Sequence, residues 1–177
     1  MRIPIDQIGP EGLQMDESLT ESWLVDLVGG DRVYTVGGTG HLRARLQRVE
    51  DTVHVAGEAS VALQAACVRC LEPAAVELVV PLELALVPRT ALPAAGEDGE
   101  LETADLGVGS HDGHLVDLEA CVRDELLLAL PQRPLCRADC AGLCDRCGHN
   151  RNAGPCACLP EVDLRWQALQ QMRNTLD

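Results

Sequence analysis

Eight cysteines in three groups constrain this chain more than any other feature. They are Cys67 and Cys70, then Cys136 and Cys140, then Cys144, Cys147, Cys156 and Cys158. A structural zinc ion is tetrahedral and closes its shell with four protein ligands, so eight thiolates make two complete sites and predict two zinc ions. Six of the eight fall within the 23 residues from Cys136 to Cys158, interleaved with Gly142, Gly148 and Gly154. The opening MRIPIDQIGP has no basic segment followed by an apolar stretch, which predicts a cytoplasmic protein. Disulfides are rare in that reducing compartment, so metal is the better reason for so many thiols.

The pair Cys67-Val68-Arg69-Cys70 falls where one strand ends and the next begins. A tight turn there converges both sulfurs on one ion and aims backbone N–H groups at them. Two ligands do not close a site. The nearest unclaimed pair is Cys136 and Cys140, which leaves Cys144, Cys147, Cys156 and Cys158 as a locally complete set, although counting leaves other partitions open. Cys156 and Cys158 would point to opposite faces of a straight strand, so sharing an ion requires a turn, for which Gly154 and Pro155 are suited. Cys121, the ninth cysteine, lies on the apolar stripe of a helix and reads as a small buried hydrophobe. Disulfide-exchange chemistry would place a C-x-x-C at a helix N-terminus. Leu71-Glu72-Pro73 does not open a helix. A thiol-based redox or zinc-responsive regulator, in which oxidation ejects metal, is the alternative reading of the same residues.

The rest of the chain predicts an α+β fold. Val53, Val55, Ala59, Val61, Leu63 and Ala65 alternate with polar residues from Thr52 to Ala65, and Val76 to Leu86 repeat the pattern on even positions from Ala75 to Val87. These make an antiparallel strand pair, with Pro81 marking an edge or a bulge. Leu42, Ala44 and Leu46 add a third strand whose solvated face carries Arg43 and Arg45. The first half as a whole reads as strands separated by turns. From Pro93 to Gly113 the chain is glycine-rich and acidic and reads as a loop excursion, with a short strand near Leu101. Asp117 then caps a helix over 117–130, whose stripe is Leu118, Cys121, Val122, Leu126 and Leu130 before Pro131. Val162, Trp166, Leu169, Met172 and Leu176 predict a terminal amphipathic helix. The architecture expected is an antiparallel sheet or partly closed barrel packed by the 117–130 helix. It divides into a β-rich domain over 1–131 and a zinc-binding knuckle with terminal helix over 132–177.

Charge narrows the partners. The chain has 14 Arg, no Lys and 28 acidic residues, a formal charge of −14. Non-specific nucleic-acid binding draws its free energy from neutralised phosphates, so this field opposes it, and a basic protein is the better partner. Glu97, Asp98, Glu100 and Glu102 are the acidic cluster such a partner would meet. Arg137, Arg146 and Arg151 belong to a patch that could touch RNA phosphates, although a tetrathiolate zinc adds about two negative charges beside it. Aromatics are confined to Trp23, Trp166 and Tyr34, too few for a base-stacking sheet. The longest uncharged apolar run, Ala59 to Val68, is too short to span a membrane. His41, His54, His111, His114 and His149 are scattered and suggest solvated or hydrogen-bonded side chains, so no enzyme and no small-molecule substrate are expected.

Three stretches together resemble one family. They are Cys67-Val68-Arg69-Cys70-Leu71-Glu72 after a strand, the helix from Asp117 through Pro131, and Pro134-Leu135-Cys136. The run Cys140-Ala141-Gly142-Leu143-Cys144-Asp145-Arg146-Cys147-Gly148 with Asn150, Asn152, Gly154, Cys156 and Cys158 is similar to the cysteine-rich form of the same family. That family is YceD, the large ribosomal RNA subunit accumulation proteins of bacteria. The resemblance implies a non-enzymatic factor in 23S rRNA accumulation and ribosome biogenesis, with a ribosomal protein or large-subunit precursor as partner. It also favours the partition given above, because shorter members keep the first pair and lack the last four cysteines. Arg151 stands where the family's Asn-Leu-Asn run has Leu.

Overall fold

The computed structural model describes residues 1–29, 33–91, 107–158 and 165. In chain order the elements are β1 (Arg2–Pro4), β2 (Leu13–Leu19), α1 (Glu21–Val28), β3 (Tyr34–Val49), β4 (Thr52–Ala66), β5 (Pro73–Pro88), β6 (Val108–His111), β7 (Leu115–Asp117) and α2 (Leu118–Ala129). Five strands form one sheet in the order β2-β3-β4-β5-β6, and β1 pairs with β7 apart from it.

Period-two alternation becomes burial on one face. Val53, Val55, Ala59, Val61, Leu63 and Ala65 of β4 are all buried, as are Val76, Val80, Leu82 and Leu86 of β5 and Leu42, Ala44 and Leu46 of β3. The register places Ala59 between Leu42 and Val80, and Val55 between Leu46 and Leu84, so the three strands present one continuous apolar surface. Helix α1 lies on β3, and α2 on β5 and β1. Leu24, Leu118, Val122 and Leu126 enter the same core. Cys121 packs against it half-buried, and burial raises its thiol above the ordinary range. On the opposite face Arg43 reaches Asp16 at 3.2 Å and Arg45 donates to the Glu11 carbonyl at 3.1 Å, so both serve the solvated side as expected.

Several expectations are corrected. Among the described residues the sheet is open, with β2 and β6 at its edges, rather than a partly closed barrel. It is antiparallel only from β2 to β5, because β6 runs parallel to β5 with Ala85 opposite Val108. A parallel neighbour cannot be joined by a tight hairpin, and the long acidic connection provides the length such a return needs. Among the described residues Pro81 lies where β5 pairs with β4 alone, since β6 begins only opposite Ala85, which fits the edge reading of that proline.

The lead before residue 40 contains α1. Thr20 Oγ1 accepts from the Trp23 N–H, and Leu24, Leu27 and Val28 make the buried stripe. Strand β3 starts eight residues earlier than the Leu42–Leu46 alternation indicates, because Gly37, Gly38 and Gly40 hide the pattern around a register shift between Val36 and Gly40. The expected strand near Leu101 and the terminal helix from Val162 lie outside the described residues, Arg165 apart.

His111 is buried and fixed by backbone on both ring nitrogens. Its Nδ1 accepts from Gly113 N–H at 3.0 Å and its Nε2 lies 2.8 Å from the Asp51 carbonyl, which it meets as a donor. The ring therefore ties the β6–β7 turn to the β3–β4 turn. No helix among the described residues is long and apolar enough to cross a membrane.

Candidate metal centres

The cysteines gather into two quartets. Cys67, Cys70, Cys136 and Cys140 form one and Cys144, Cys147, Cys156 and Cys158 the other, and within each the four sulfurs lie within 4.8 Å of one another. In the first, Cys67 Sγ is 3.7 Å from Cys140 Sγ and Cys70 Sγ is 3.5 Å from Cys136 Sγ. Four sulfurs around a tetrahedral ion at ~2.3 Å stand about 3.8 Å apart, so the spacing fits such an ion.

Each quartet is built on a knuckle of the same local geometry. Leu71 N–H donates to the Cys67 carbonyl at 2.9 Å, and Gly148 N–H donates to the Cys144 carbonyl at 2.9 Å. The fifth residue of each turn is left-handed, with φ 63° at Leu71 and 70° at Gly148. Glycine adopts that conformation freely, whereas a side chain pays about 1–2 kcal/mol of steric cost. Leu71 is 67% exposed and gains little burial in return. Leu71→Gly is expected to raise stability by about 0.5 kcal/mol, the relief being partly offset by unfolded-chain entropy. Gly148→Leu should lower it by about 1 kcal/mol. Urea midpoints of both variants measure this, and a clear loss in Leu71→Gly would contradict it.

The first quartet joins distant parts of the chain. Cys67 and Cys70 sit on the β4–β5 turn, whereas Cys136 and Cys140 follow α2. Val68 N–H donates to the Pro134 carbonyl at 3.0 Å, and Leu143 N–H to the Arg69 carbonyl at 3.0 Å. Arg69 donates through its guanidinium to the Cys140 carbonyl at 2.8 Å. Cys67, Cys70 and Cys140 are buried with Ala74, under Leu135 and Leu143. The second quartet is local and more open, with Cys147 exposed and Cys156 and Cys158 half-buried. Gly154 has a positive φ of 140°, and the chain bends at Ala157, which brings Cys156 and Cys158 to one centre.

The electrostatics of the donor set suit a cation. Burial alone would raise the Cys67 thiol, but N–H groups of Cys136, Arg69 and Cys70 outweigh it and bring it down to about 6. The Asn152 side chain lowers Cys140 against the effect of burial. At Cys70 the Glu72 N–H and the Cys136 sulfur pull down, yet burial with the Cys140 and Cys67 sulfurs prevails and raises the thiol. Cys136 is pushed up to about 12 by the Cys70 sulfur beside it and by burial. In the second quartet the Cys147 and Arg146 N–H groups lower Cys144 to about 6, and the Cys147 sulfur with burial pushes Cys158 up to about 12. Within each quartet one thiolate raises the cost of the next, and a divalent ion at the centre removes that repulsion. Both sets could therefore hold a metal ion.

The arginines expected at an RNA contact are largely committed inside the knuckles. Arg137 donates to Asn152 Oδ1 at 2.8 Å and pairs with Asp139 at 3.3 Å. Arg151 pairs with Asp145 at 3.1 Å. Arg146 lies between Cys144 and Cys147 on the second turn, where its N–H serves the Cys144 sulfur. Glu97, Asp98, Glu100 and Glu102 lie outside the described residues. Sequence reasoning gave no role to Arg69, Asn150 or Asn152, although the Asn-x-Asn spacing after Cys147-Gly148 was visible.

Comparison with known proteins follows the same residues. The family model described as large ribosomal RNA subunit accumulation protein YceD matches residues 55–173, a span containing both quartets. An uncharacterized protein of Mycobacterium tuberculosis is 33% identical over 132 residues, which cover 74% of this chain and 60% of that protein. One of Mycobacterium bovis matches to the same extent. One of Mycobacterium leprae is 31% identical over 137 residues, 77% of this chain and 60% of its own. The chain thus spans less than two thirds of the length of these relatives. No solved structure gives a significant match.

Proposed function

The chain belongs to the YceD family, the large ribosomal RNA subunit accumulation proteins, and on that premise we propose that it is a non-enzymatic, zinc-binding factor of ribosome assembly in the cytoplasm. The family match carries the reading. Two further observations support it. Both quartets have the donor set and spacing that zinc takes in closed structural sites, where no coordination position is left for a substrate. The charge of −14 suits a basic ribosomal protein, alone or within a large-subunit precursor. A protein contact is favoured over an rRNA contact, because Arg137 and Arg151 already have anionic or amide partners and each tetrathiolate zinc adds about two negative charges nearby.

Protein purified under reducing conditions is expected to contain two zinc ions per chain. It should co-sediment with large-subunit precursors through contacts that weaken with salt, over a Debye length of roughly 8 Å at physiological ionic strength. Cells lacking it should accumulate less mature large-subunit rRNA. Reversal of Glu97, Asp98, Glu100 and Glu102 to Lys should weaken the association while zinc content stays constant. Loss of association only with Arg146→Glu would instead point to rRNA. Zinc-free protein with every thiol freely titratable would favour the redox reading, and cleavage of naked rRNA by the pure protein would sink the non-enzymatic one.

A further inference from the structure

We propose that Asn152 couples the two metal centres, so that an ion in the second quartet tightens the ion in the first, and the reverse. The proposal rests on the reading that both quartets bind metal. In sequence Asn152 belongs to the second centre, between Cys147 and Cys156, but its side chain serves the first. Its Nδ2 donates to Cys140 Sγ at 3.3 Å. Its Oδ1 accepts from the Ala141 N–H and from the Arg137 guanidinium, both at 2.8 Å. Those two partners can only donate, which fixes the amide with its NH2 toward the sulfur and toward Asn150 Oδ1 at 2.9 Å.

A donor on a metal-bound thiolate orients the ligand and sets its basicity, and losing such a partner commonly costs 10–100-fold in affinity. Where Asn152 sits depends on the second loop. Residues 144–158 contain no helix or strand beyond an isolated bridge between Leu143 and Asn150. Asn150 turns the chain by accepting from the Asn152 and Ala153 N–H groups at 3.0 Å each, and Arg151 N–H donates to the Gly142 carbonyl at 2.9 Å. An ion held by Cys144, Cys147, Cys156 and Cys158 closes this loop around Asn152, pre-organising the amide against Cys140. Linkage makes the effect reciprocal.

Titration of the metal-free full chain with Co²⁺ under anaerobic reducing conditions tests this, with thiolate-to-cobalt absorption as the readout. Wild type should take two ions. Removing the second centre with Cys156→Ser/Cys158→Ser should leave one ion bound about tenfold more weakly. Asn152→Asp keeps the acceptor oxygen but has no donor for the sulfur. It should take two ions, with the first centre about tenfold weaker, and in that background Cys156→Ser/Cys158→Ser should cost nothing further. Asn152→Ala, with its fold checked by circular dichroism, should behave alike. If deletion of the second centre weakens the first equally with and without Asn152, or in neither case, the coupling is overturned. If wild type gives no thiolate-to-cobalt absorption, the metal reading itself falls and the coupling with it.

Discussion

Cys70→Ser is expected to destabilise the metal-loaded protein by about 3 kcal/mol or more, and Cys158→Ser by clearly less. Binding free energy at a structural site is folding free energy, so its worth depends on what the ion ties together. The first centre closes the chain from Cys67 to Cys140, 74 residues, and the second from Cys144 to Cys158, 15 residues. Closure entropy scales as (3/2)RT ln n, and this ratio of about five makes the longer closure worth about 1.4 kcal/mol more. Burial acts in the same direction. Cys70 belongs to a core with Cys67, Ala74 and Cys140, so a lost ligand leaves buried sulfurs with unbalanced charge. The first centre is exposed at Cys136 alone, whereas in the second only Cys144 is buried, so water can better solvate what the ion leaves behind there. Urea unfolding of both variants, with zinc content measured alongside, decides this. Equal midpoints would contradict it.

How much of this was legible in the sequence follows from how local each signal is. The long strands β4 and β5 could be read because one face meets the core and the other meets water along almost their whole length, which writes a period of two into the residues. The quartets could be read because six thiols crowd into one short segment and because the turn at Cys67 needs two more ligands. Helix α1 was missed, although Thr20 ahead of Trp23, Leu24, Leu27 and Val28 carries its signal, because the helix is short and its stripe brief. The start of β3 was hidden by Gly37, Gly38 and Gly40, which depress strand propensity while permitting a register shift. The parallel placement of β6 has no local signature, since it depends on where a long connection returns. Nor does the reach of Asn152 to Cys140, which exists only after two separate turns have folded against each other.

Gly57→Ala is expected to cost about 3 kcal/mol or more although it adds a single methyl group in mid-strand. Strands β3, β4 and β5 run for 16, 15 and 16 residues, and at about 3.3 Å per residue each would reach ~50 Å if straight. Both ends bury one face in one contiguous core, where Val53 and Leu86 from one end join Leu63 and Tyr34 from the other. Gly57 lies between the buried Val55 and Ala59 but is itself exposed, opposite Ala44 on β3 and Leu82 on β5. A Cβ there would lie 2.1 Å from the Arg43 carbonyl oxygen and 2.7 Å from Ala44 Cα. Those are backbone atoms of a paired strand, and they cannot withdraw without opening the β3–β4 ladder. Gly113→Ala is the control. Gly113 has φ 92° with nothing within 4 Å of its Cβ position, so that variant carries backbone strain alone, about 1 kcal/mol. Urea midpoints should therefore fall much further for Gly57→Ala. A loss no greater than that of Gly113→Ala would mean that the strands can separate at Gly57, and that the β3–β4 ladder does not depend on the missing side chain.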